Sequence, residues 1–494
     1  MIKLKVVIVF LLLLSAGVCQ QPVPPQVRVV DIIPKSLSWE TNQDSEPFLA
    51  VSPTNPLTMV VSAFTPNPLP TAPTSPVFVS EDGGRSWALR NIVPIPEITV
   101  DITHSMGSGG TLYAGALKPT AVPGRDPRPD LQQLFTKAVH LNEFMKVQNN
   151  TRLNVDQPFT TVTVDRVGDR ILVGDNDLGS PNDKTASVEV SVDGGARYRT
   201  VVLENRKTSG QNGPSVRISS AKDGTIYAAY FGWRKYQKVD RFEGWITSDI
   251  VVARDDRAAK VDDPFQDLKD PKDKLPGRIV ASGRQIHWSN KATLGEERIG
   301  STLSIAVDPN LSSRVYISWA DNFSDKAVYA VHLFRSEDKG QTWKETWNPL
   351  PNTVCAALAI SDSGVVGYEY QQLVGRKWIT HLVQSADDFA TSPQDTVLAS
   401  VSADLPNQGW PYIGDYNYLV ATAHEFRGAF SANNRPERGN FPPNTAYLRD
   451  VDWLKGILLD DAGNEIKPSI DPFFFSVEVI DATLSPKKAL RSTR

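Results

Sequence analysis

Ser80-Glu81-Asp82-Gly83-Gly84-Arg85-Ser86-Trp87 recurs along this chain, and the recurrence is the clearest indication of its architecture. A second copy runs from Ser336 to Trp343, a looser one from Ser191 to Tyr198, and a worn one from Ser385 to Thr391. In such a segment the aspartate can accept backbone N–H groups across a tight hairpin, a glycine takes a positive φ, and the aromatic ring packs back under the sheet. The segment therefore predicts a folding device and says almost nothing about catalysis.

A two-strand unit precedes each copy and also repeats, as in Glu46–Val51 followed by Thr58–Ala63. Seven such units begin near residues 46, 101, 156, 212, 301, 354 and 415, at intervals of 55, 55, 56, 89, 53 and 61 residues. Intervals of this length are typical of a blade of four strands. The long fourth interval contains Asp262 to Lys274, a proline- and charge-rich insertion that we expect to be a solvated loop.

These patterns predict an all-β protein, a β-propeller of four-stranded blades. Seven blades fit the spacing best, and six are the alternative. The propeller is predicted as a single domain over residues 45–494, with residues 20–44 as an N-terminal segment that could close it. Thirty-six Pro and 32 Gly residues agree with many short strands separated by turns.

The repeated segment matches the Asp box, S-x-D-x-G-x-[ST]-W, and through these copies the chain resembles the Asp-box (BNR-repeat) sialidase-like β-propeller superfamily. The segment Trp410–Tyr416 looks like the Gly-Asp-Tyr segment found late in many secreted Asp-box proteins. The resemblance implies Asp-box hairpins and a carbohydrate-active function. Sialidases have six blades and a Phe-Arg-Ile-Pro motif near the N-terminus, and this chain has no such tetrapeptide.

The first 19 residues are predicted to be a signal peptide, because two lysines precede the short apolar run Val6–Leu14. The apolar run is too short to cross a bilayer, so we expect no membrane span and a secreted protein, extracellular or periplasmic. Cleavage after Cys19 is favoured over lipidation of Cys19. Cys355 would then be the only thiol, and its apolar surroundings predict a buried, inert side chain.

The charges are nearly balanced, with 52 Lys and Arg against 56 Asp and Glu, so no nucleic acid or anionic membrane is expected as a partner. The six histidines show no close metal-ligand spacing, and no metal or cofactor is predicted. Only a structural calcium is considered, at Asp255-Asp256 or Asp262-Asp263, where solvated acids are the alternative interpretation. We expect a monomer whose partner is a glycan or glycoconjugate.

Propeller geometry predicts where a site would lie, because every first strand begins, and every second strand ends, on the same face around a central channel. Candidate catalytic residues are therefore the polar residues at first-strand starts, namely Asp156, Asp415, Glu46, Asp101 and Tyr416. Candidate substrate-binding residues lie mostly at second-strand ends, with Arg298 near a strand start: Arg234, Arg298, Trp233, Tyr370, Asp177 and Asp321. Neighbouring carboxyl groups could serve as acid and base in glycoside cleavage, or could merely close the ring by accepting hydrogen bonds.

The resemblance also implies a specific catalytic set. Sialidases use three arginines for the substrate carboxylate, a tyrosine nucleophile paired with a glutamate, and an aspartate acid. That set cannot be transferred residue by residue to this chain. The function expected is therefore a secreted carbohydrate-active propeller, a sialidase-like glycoside hydrolase acting on extracellular glycans, and the alternative is a non-catalytic propeller that binds glycan or protein.

Overall fold

The computed structural model describes residues 26–68, 74–95, 99, 101–120, 130–148, 152–165, 168–178, 185–209, 216–239, 244–287, 302–322, 329–403 and 413–480. Within these ranges the chain is almost entirely β-structure, and its only helix is the short 3-10 turn Lys35–Leu37. None of the helical structure in these ranges is long and apolar enough to cross a membrane. The all-β class predicted from the sequence is confirmed.

Seven sheets of four or five strands follow one another along the described chain, and consecutive strands pair mainly antiparallel. The first sheet consists of Phe48–Val51, Met59–Ser62, Ser75–Ser80 and Ala88–Val93. The second consists of Ile102–Met106, Leu112–Thr120, Asp130–Ala138, Lys146–Val147 and Arg152–Leu153. The third consists of Val155–Asp165, Gly168–Asp177, Thr185–Ser191 and Arg199–Val202.

The next three sheets have the same plan. The fourth consists of Arg217–Ser220, Ile226–Lys238, Gly244–Asp255 and Arg278–His287. The fifth consists of Leu303–Asp308, Leu311–Asn322, Tyr329–Ser336 and Lys344–Pro351. The sixth consists of Thr353–Ile360, Val366–Val374, Lys377–Ser385 and Gln394–Ser402. Sheets of four antiparallel strands, as predicted, are therefore confirmed.

The seventh sheet combines both ends of the described chain. Its strands are Tyr418–Ala421, Glu425–Asn433, Ile470–Glu478, Val27–Asp31 and Ala446–Tyr447. Val27–Asp31 pairs antiparallel with Ile470–Glu478, so that Val27 faces Val477 and Asp31 faces Phe473. A small sheet, Asp450–Asp452, Ile457–Leu459 and Glu465–Ile466, lies in the connection that precedes Ile470. The N-terminal strand thus completes the last sheet of the chain.

The first strands of the seven sheets pack against one another in sequence order. Each contacts the first strand of the next sheet, and the first strand of the seventh sheet contacts that of the first sheet. The contacts therefore form a closed ring of seven strands. Among these strands, Thr353–Ile360 is buried along its whole length, as a strand enclosed by neighbours on both faces should be.

A buried cluster of charged residues stands where the two ends of the chain meet. The side chain of Arg449 is fully buried and contacts the carboxylates of Asp31, Glu40 and Asp471, which are fully buried as well. Asp44 is also fully buried, and its electrostatic partners include Glu40, Arg449 and Asp31. One guanidinium group therefore holds together acids from both ends of the chain. We call these five residues the closure cluster.

The repeated Ser-x-Asp segments form hairpin turns between the third and fourth strands of the first, third, fifth and sixth sheets. In each turn the serine hydroxyl donates to the aspartate and accepts the N–H of the residue four positions after the serine. The aspartate in turn accepts the N–H of the residue four positions after itself, at 2.9–3.1 Å. The most divergent copy of the segment, at Ser385, keeps this pattern because it retains the serine and the aspartate that form these hydrogen bonds.

The turn at Ser80 packs its aromatic residue against the seventh sheet. Trp87 is 5% exposed, lies 5.3 Å from the ring of Phe474, and donates from Nε1 to the carbonyl of Gly84. Gly84 has a φ of +85°, and a β-carbon there would lie 2.2 Å from the Phe474 ring. Glycine is required at this position both by the backbone conformation and by the close approach.

Loss of the Trp87 side chain should destabilise the fold more than loss of the corresponding Trp343, which is only partly buried. We expect Trp87→Ala to lower the free energy of unfolding by about 3 kcal/mol, since it leaves a cavity against Phe474. The effect of Trp343→Ala should be smaller because part of its ring is already in solvent. Denaturant unfolding of both variants measures this, and an equal or larger loss for Trp343→Ala would contradict it.

The insertion at Asp262–Lys274 is not simply a solvated loop, and that prediction was wrong. Phe265 and Leu268 are buried, with exposures of 1% and 2%. The carboxylate of Asp255 accepts the N–H groups of Arg257, Ala259 and Phe265, which fastens the insertion to the end of a strand. Asp255 thus acts as a hydrogen-bond acceptor for the loop, a role that its sequence context did not indicate.

Candidate functional site

Three of the predicted catalytic residues act electrostatically on a fourth, Tyr416, and so does one arginine. The electrostatic partners of Tyr416 are Glu46, Asp101, Arg217 and Asp415. Each of these residues lies at, or within two residues of, the start of a first strand or, for Asp415 and Tyr416, just before one. The site therefore stands at one end of the ring of first strands, and we call it the channel mouth.

Arg217 is the centre of the channel mouth and is only 4% exposed. Its guanidinium carbon lies 4.1 Å from the ring centroid of Phe159 and 5.5 Å from that of Tyr416, and its Nε donates to the carbonyl of Leu303. Burial lowers the pKa of Arg217 to about 10, against the opposing attraction of Tyr416, Asp415 and Glu46. The desolvation cost thus outweighs the pull of the surrounding acids.

Asp415 is 2% exposed and is held by a residue from a different sheet. The side-chain amide of Gln157, at the start of the third sheet, donates to Oδ2 of Asp415 at 2.9 Å. The preceding residue, Asp156, is partly exposed, and its Oδ1 accepts the N–H of Gln157 at 2.9 Å. The fifth predicted catalytic residue therefore adjoins the channel mouth through Gln157.

The backbone around the channel mouth is strained. Glu46, Asn154, Gln157 and Cys355 have φ values of 58°, 58°, 51° and 52°, and each lies next to or within the start of a first strand. Residues other than glycine rarely adopt positive φ values. They keep such a conformation only where the surrounding structure imposes it. Strain of this kind concentrates at functional sites, so its presence on three different sheets at one end of the channel supports a site there.

Aromatic rings form the floor of the channel mouth. Phe48 lies 3.9 Å from Tyr418, 5.0 Å from Phe159 and 6.1 Å from Tyr416, measured between ring centroids. His104 lies 5.5 Å from Phe48 in an edge arrangement, and burial lowers the pKa of His104 to about 3. His104 is therefore neutral at physiological pH and behaves as a buried aromatic residue.

Tyr416 keeps its phenolic proton in these surroundings. Burial, together with the negative charges of Glu46 and Asp101, holds the pKa of Tyr416 well above its usual range. A tyrosine nucleophile would need the opposite shift, because the reactive form is the phenolate. Tyr416 is suited to donating a hydrogen bond.

A cavity of about 240 Å³ extends from the channel mouth between the first strands. Phe159, Arg217, Asn417 and Tyr418 line its beginning, and residues further along the same strands line the remainder. Cys355 is buried near the channel mouth, as predicted, and its Sγ lies 3.2 Å from the carbonyl oxygen of Gly414. The cavity is lined by both polar and apolar residues, and Arg217 is the charged residue of the channel mouth that lines it.

The predicted substrate-binding residues are not gathered at the channel mouth. Arg234 forms ion pairs with Glu204 at 2.9 Å and Asp249 at 2.7 Å, within and beside its own sheet. Asp177 pairs with Arg152 at 2.7 Å. Arg234 is thus occupied in ion pairs within and beside the fourth sheet, whereas Asp177 lies opposite Val155 at the start of the third sheet's first strand.

Asp321 joins two sheets. Its carboxylate accepts Nε of Arg284 at 2.6 Å and Nε1 of Trp319 at 2.7 Å, and it contacts Nε2 of His332. Burial alone would raise the pKa of Asp321, but hydrogen bonds from His332 and Arg284 lower it overall. This ionised carboxylate is hydrogen-bonded to residues of both sheets and helps to hold the two sheets together.

The two predicted aromatic contacts also lie outside the channel cavity. Trp233 is buried and stacks on Tyr236 with centroids 5.5 Å apart. Tyr370 is buried and stacks on His381 at 4.9 Å. Arg298 lies outside the described residues.

Two residues of the channel mouth were missed from the sequence. Arg217 was missed because the fourth unit was placed to begin near residue 212, whereas its first strand is Arg217–Ser220. Gln157 was passed over in favour of the acid beside it. A signal for Arg217 did exist, since it is a single cation at the head of an otherwise apolar and hydroxyl-bearing strand.

The described residues contain no cluster of three or more His, Cys, Asp or Glu side chains that could hold a metal ion. Of the acids considered for calcium, Asp255 binds backbone N–H groups and Asp256 pairs with Arg254 at 2.9 Å. The chemistry available at the channel mouth in this part of the chain is therefore that of carboxyl groups, a phenol, an amide and a guanidinium.

No protein-family model and no curated protein sequence matches this chain. Among solved structures, a polysaccharide lyase of family PL25, an ulvan lyase, is similar with a TM-score of 0.48 and 10% identity, over 79% of this chain and 92% of the lyase. The α-L-arabinofuranosidase Arb93A from Fusarium graminearum gives 0.39 and 10%, over 72% and 94%. A protein of unknown function from Dyadobacter fermentans gives 0.41 and 10%, over 92% and 99%.

Proposed function

We propose that this chain is an exported, seven-bladed β-propeller that hydrolyses glycosidic bonds in extracellular or periplasmic glycans. The closed ring of seven first strands supports the blade number, and the hydrogen bonds of the four Ser-x-Asp turns support their identification as Asp boxes. The apolar run near the N-terminus supports export. On this proposal each of the seven sheets is a blade.

The observation that carries the activity is the enclosure of Asp415 and Glu46 beside Arg217. Both acids are almost fully buried, at 2% and 4% exposure, and both act on the charge of the arginine. Glycoside hydrolysis requires one carboxylate as base or nucleophile and one carboxylic acid as proton donor. Two carboxyl groups in one buried site do not ionise equally, which is how such a pair acquires its two roles.

The surroundings suggest how the two roles are divided. Asp415 accepts a hydrogen bond from Gln157 at 2.9 Å, which fixes the orientation of its carboxylate. We therefore assign Asp415 as the base or nucleophile and Glu46 as the proton donor. Asp101 and Asp156 are partly exposed and stand at the outer edge, where they can contact substrate hydroxyl groups. Tyr416 donates a hydrogen bond to the reacting sugar or its leaving group.

This assignment differs from sialidase chemistry in its nucleophile. Sialidases use a tyrosine and three arginines, whereas Tyr416 retains its proton and Arg217 is the arginine placed among the acids. A sialidase-like architecture with carboxylate chemistry is therefore the proposal. The second candidate function is a non-catalytic glycan-binding propeller. The partly exposed acids Asp101 and Asp156, beside the aromatic rings of the channel mouth, would also suit glycan binding.

The deciding test is a panel of chromogenic and fluorogenic glycosides, sialosides included, incubated with the purified mature protein, followed by a glycan array. Hydrolysis of at least one glycoside supports the enzyme. An inactive protein that binds glycans on the array supports the binding module. Neither hydrolysis nor binding across a broad panel would contradict both candidates.

Gln157 should position Asp415 for the reaction. We expect Gln157→Ala to lower turnover about tenfold, because the carboxylate loses its amide donor and its fixed orientation. The loss should fall on kcat with KM little changed, since the amide acts on the catalytic carboxylate and not on the substrate. Gln285→Ala, at an exposed position, is the matched control and should change neither property. A lower turnover accompanied by a matching loss of stability in denaturant unfolding would indicate a purely structural role.

A further inference from the structure

The charges at the channel mouth are unequal. Of the residues that act on Tyr416, Asp101 and Asp415 are acids and Arg217 is a base, while Glu46, as the assigned proton donor, is counted as uncharged. Asp156 adds a third carboxylate, because it lies directly beside Gln157, which touches Asp415. The described part of the channel mouth therefore has more negative than positive groups.

Arg217 is already engaged within the protein. The rings of Phe159 and Tyr416 stand over its guanidinium group, and its Nε is bound to the carbonyl of Leu303. Its charge is attracted to Asp415 and Glu46, both of which are nearly fully buried. The arginine thus offsets the charge of acids that belong to the site, and little of its charge is left for an anionic ligand.

A ligand that brings its own carboxylate would stand next to like charges in a poorly hydrated site. Charge repulsion is strong there because water and salt screen it weakly. A neutral sugar avoids this repulsion and can use the carboxylates as acceptors for its hydroxyl groups, while its apolar face packs on the aromatic rings. The channel mouth should therefore discriminate between sugar ligands by their charge as well as by their shape.

We propose that the sugar unit bound at the channel mouth is uncharged, and that the ring of acids excludes uronic and sialic acids. This inference rests on the proposed function, because it concerns the same site. It names the substrate class as neutral glycans. Asp101 is the acid best placed to test the exclusion, since it is partly exposed and acts on Tyr416.

The test measures binding of sugar pairs that differ in charge but share a linkage. Suitable pairs are lactose and sialyllactose, and glycans with terminal galactose or galacturonate, titrated calorimetrically into the wild-type protein. The neutral member should bind about a hundredfold more tightly than the acidic one, as like-charge contact in an interface predicts. In Asp101→Asn this ratio should fall about tenfold, whereas Asp362→Asn, on the surface, should leave it unchanged.

The outcomes separate the two proposals. Acidic members that bind as well as or better than neutral ones would overturn the inference and leave a glycan-binding site in place. A ratio unaffected by Asp101→Asn would also overturn it, because the discrimination would then come from elsewhere. Absence of binding and hydrolysis for every glycan would instead overturn the proposed function, and the inference with it.

Discussion

Asp415→Asn should lower turnover on the best glycoside substrate by about a hundredfold or more while leaving the fold intact. The substitution keeps the shape of the side chain, and the amide oxygen can still accept the hydrogen bond from Gln157 that Asp415 accepts at 2.9 Å. What it removes is the negative charge and the basic oxygen. A base or nucleophile in a glycosidase needs both, so the rate should fall even though binding is retained.

The measurement is kcat for wild type and variant, together with denaturant unfolding to establish that stability is unchanged. Glu46→Gln should produce a loss of similar size, and Asp156→Asn should also lower turnover if its carboxylate meets the substrate. Asp362→Asn is the matched control, because Asp362 is 57% exposed and pairs with the surface residue Lys222 at 2.6 Å. Full activity in Asp415→Asn would contradict the site assignment.

Arg449→Met should lower the free energy of unfolding by about 5 kcal/mol. Arg449 is the guanidinium group of the closure cluster, and methionine keeps most of its volume but none of its charge. Its removal leaves the buried acids Asp31, Glu40 and Asp471 without their cation. Breaking a buried ion pair from one side is costly because the remaining charges stay desolvated.

The control is Arg435→Met. Arg435 is 54% exposed and lies 3.4 Å from Glu437, which is 53% exposed, so this surface pair should contribute less than about 1 kcal/mol. Denaturant unfolding gives both values. A small loss of unfolding free energy in Arg449→Met would contradict the prediction. It would mean that the acids of the closure cluster are neutralised without the arginine.

The closure cluster should also make stability depend on pH. Burial raises the pKa of Asp31 to about 6 and that of Glu40 to about 7, despite the opposing attraction of Arg449. The folded protein therefore holds these protons more tightly than the unfolded chain does. Their contribution to stability should be greatest below about pH 4, where both states are protonated, and should be lost as the pH rises to about 7.

Glu40→Gln isolates this effect, because glutamine resembles a protonated glutamate and does not titrate. Unfolding measured between pH 4 and pH 8 should show a smaller decline in the variant than in the wild type. The N–H of Asn42 can still bind the glutamine oxygen, as it binds Glu40 at 2.9 Å. An identical decline in both proteins would assign the pH dependence to other groups.

The all-β class and the hairpin turns follow from local sequence. Ser80 and Asp82 satisfy backbone N–H groups within four residues of themselves, so the sequence around them is enough to specify the turn. The unit starts could likewise be predicted from repeating strands, and they placed Glu46, Asp101, Asp415 and Tyr416 at equivalent positions. These four residues occupy equivalent positions in their repeat units. The ring of first strands therefore brings them close together in space.

Only the tertiary structure decided which side chains meet. Gln157 and Asp415 are 258 residues apart, and no local pattern relates an amide in one unit to an acid in another. Arg234 was predicted at the site because of its place at a strand end, yet the pairing of its strand shifts between Trp233 and Lys235, and Arg234 binds Glu204 and Asp249. Sequence alone determined the repeating hydrogen bonds and strands, because these act over a few residues. Side-chain direction at a bulge and contacts between distant units depend on packing across the whole ring, which only the folded chain specifies.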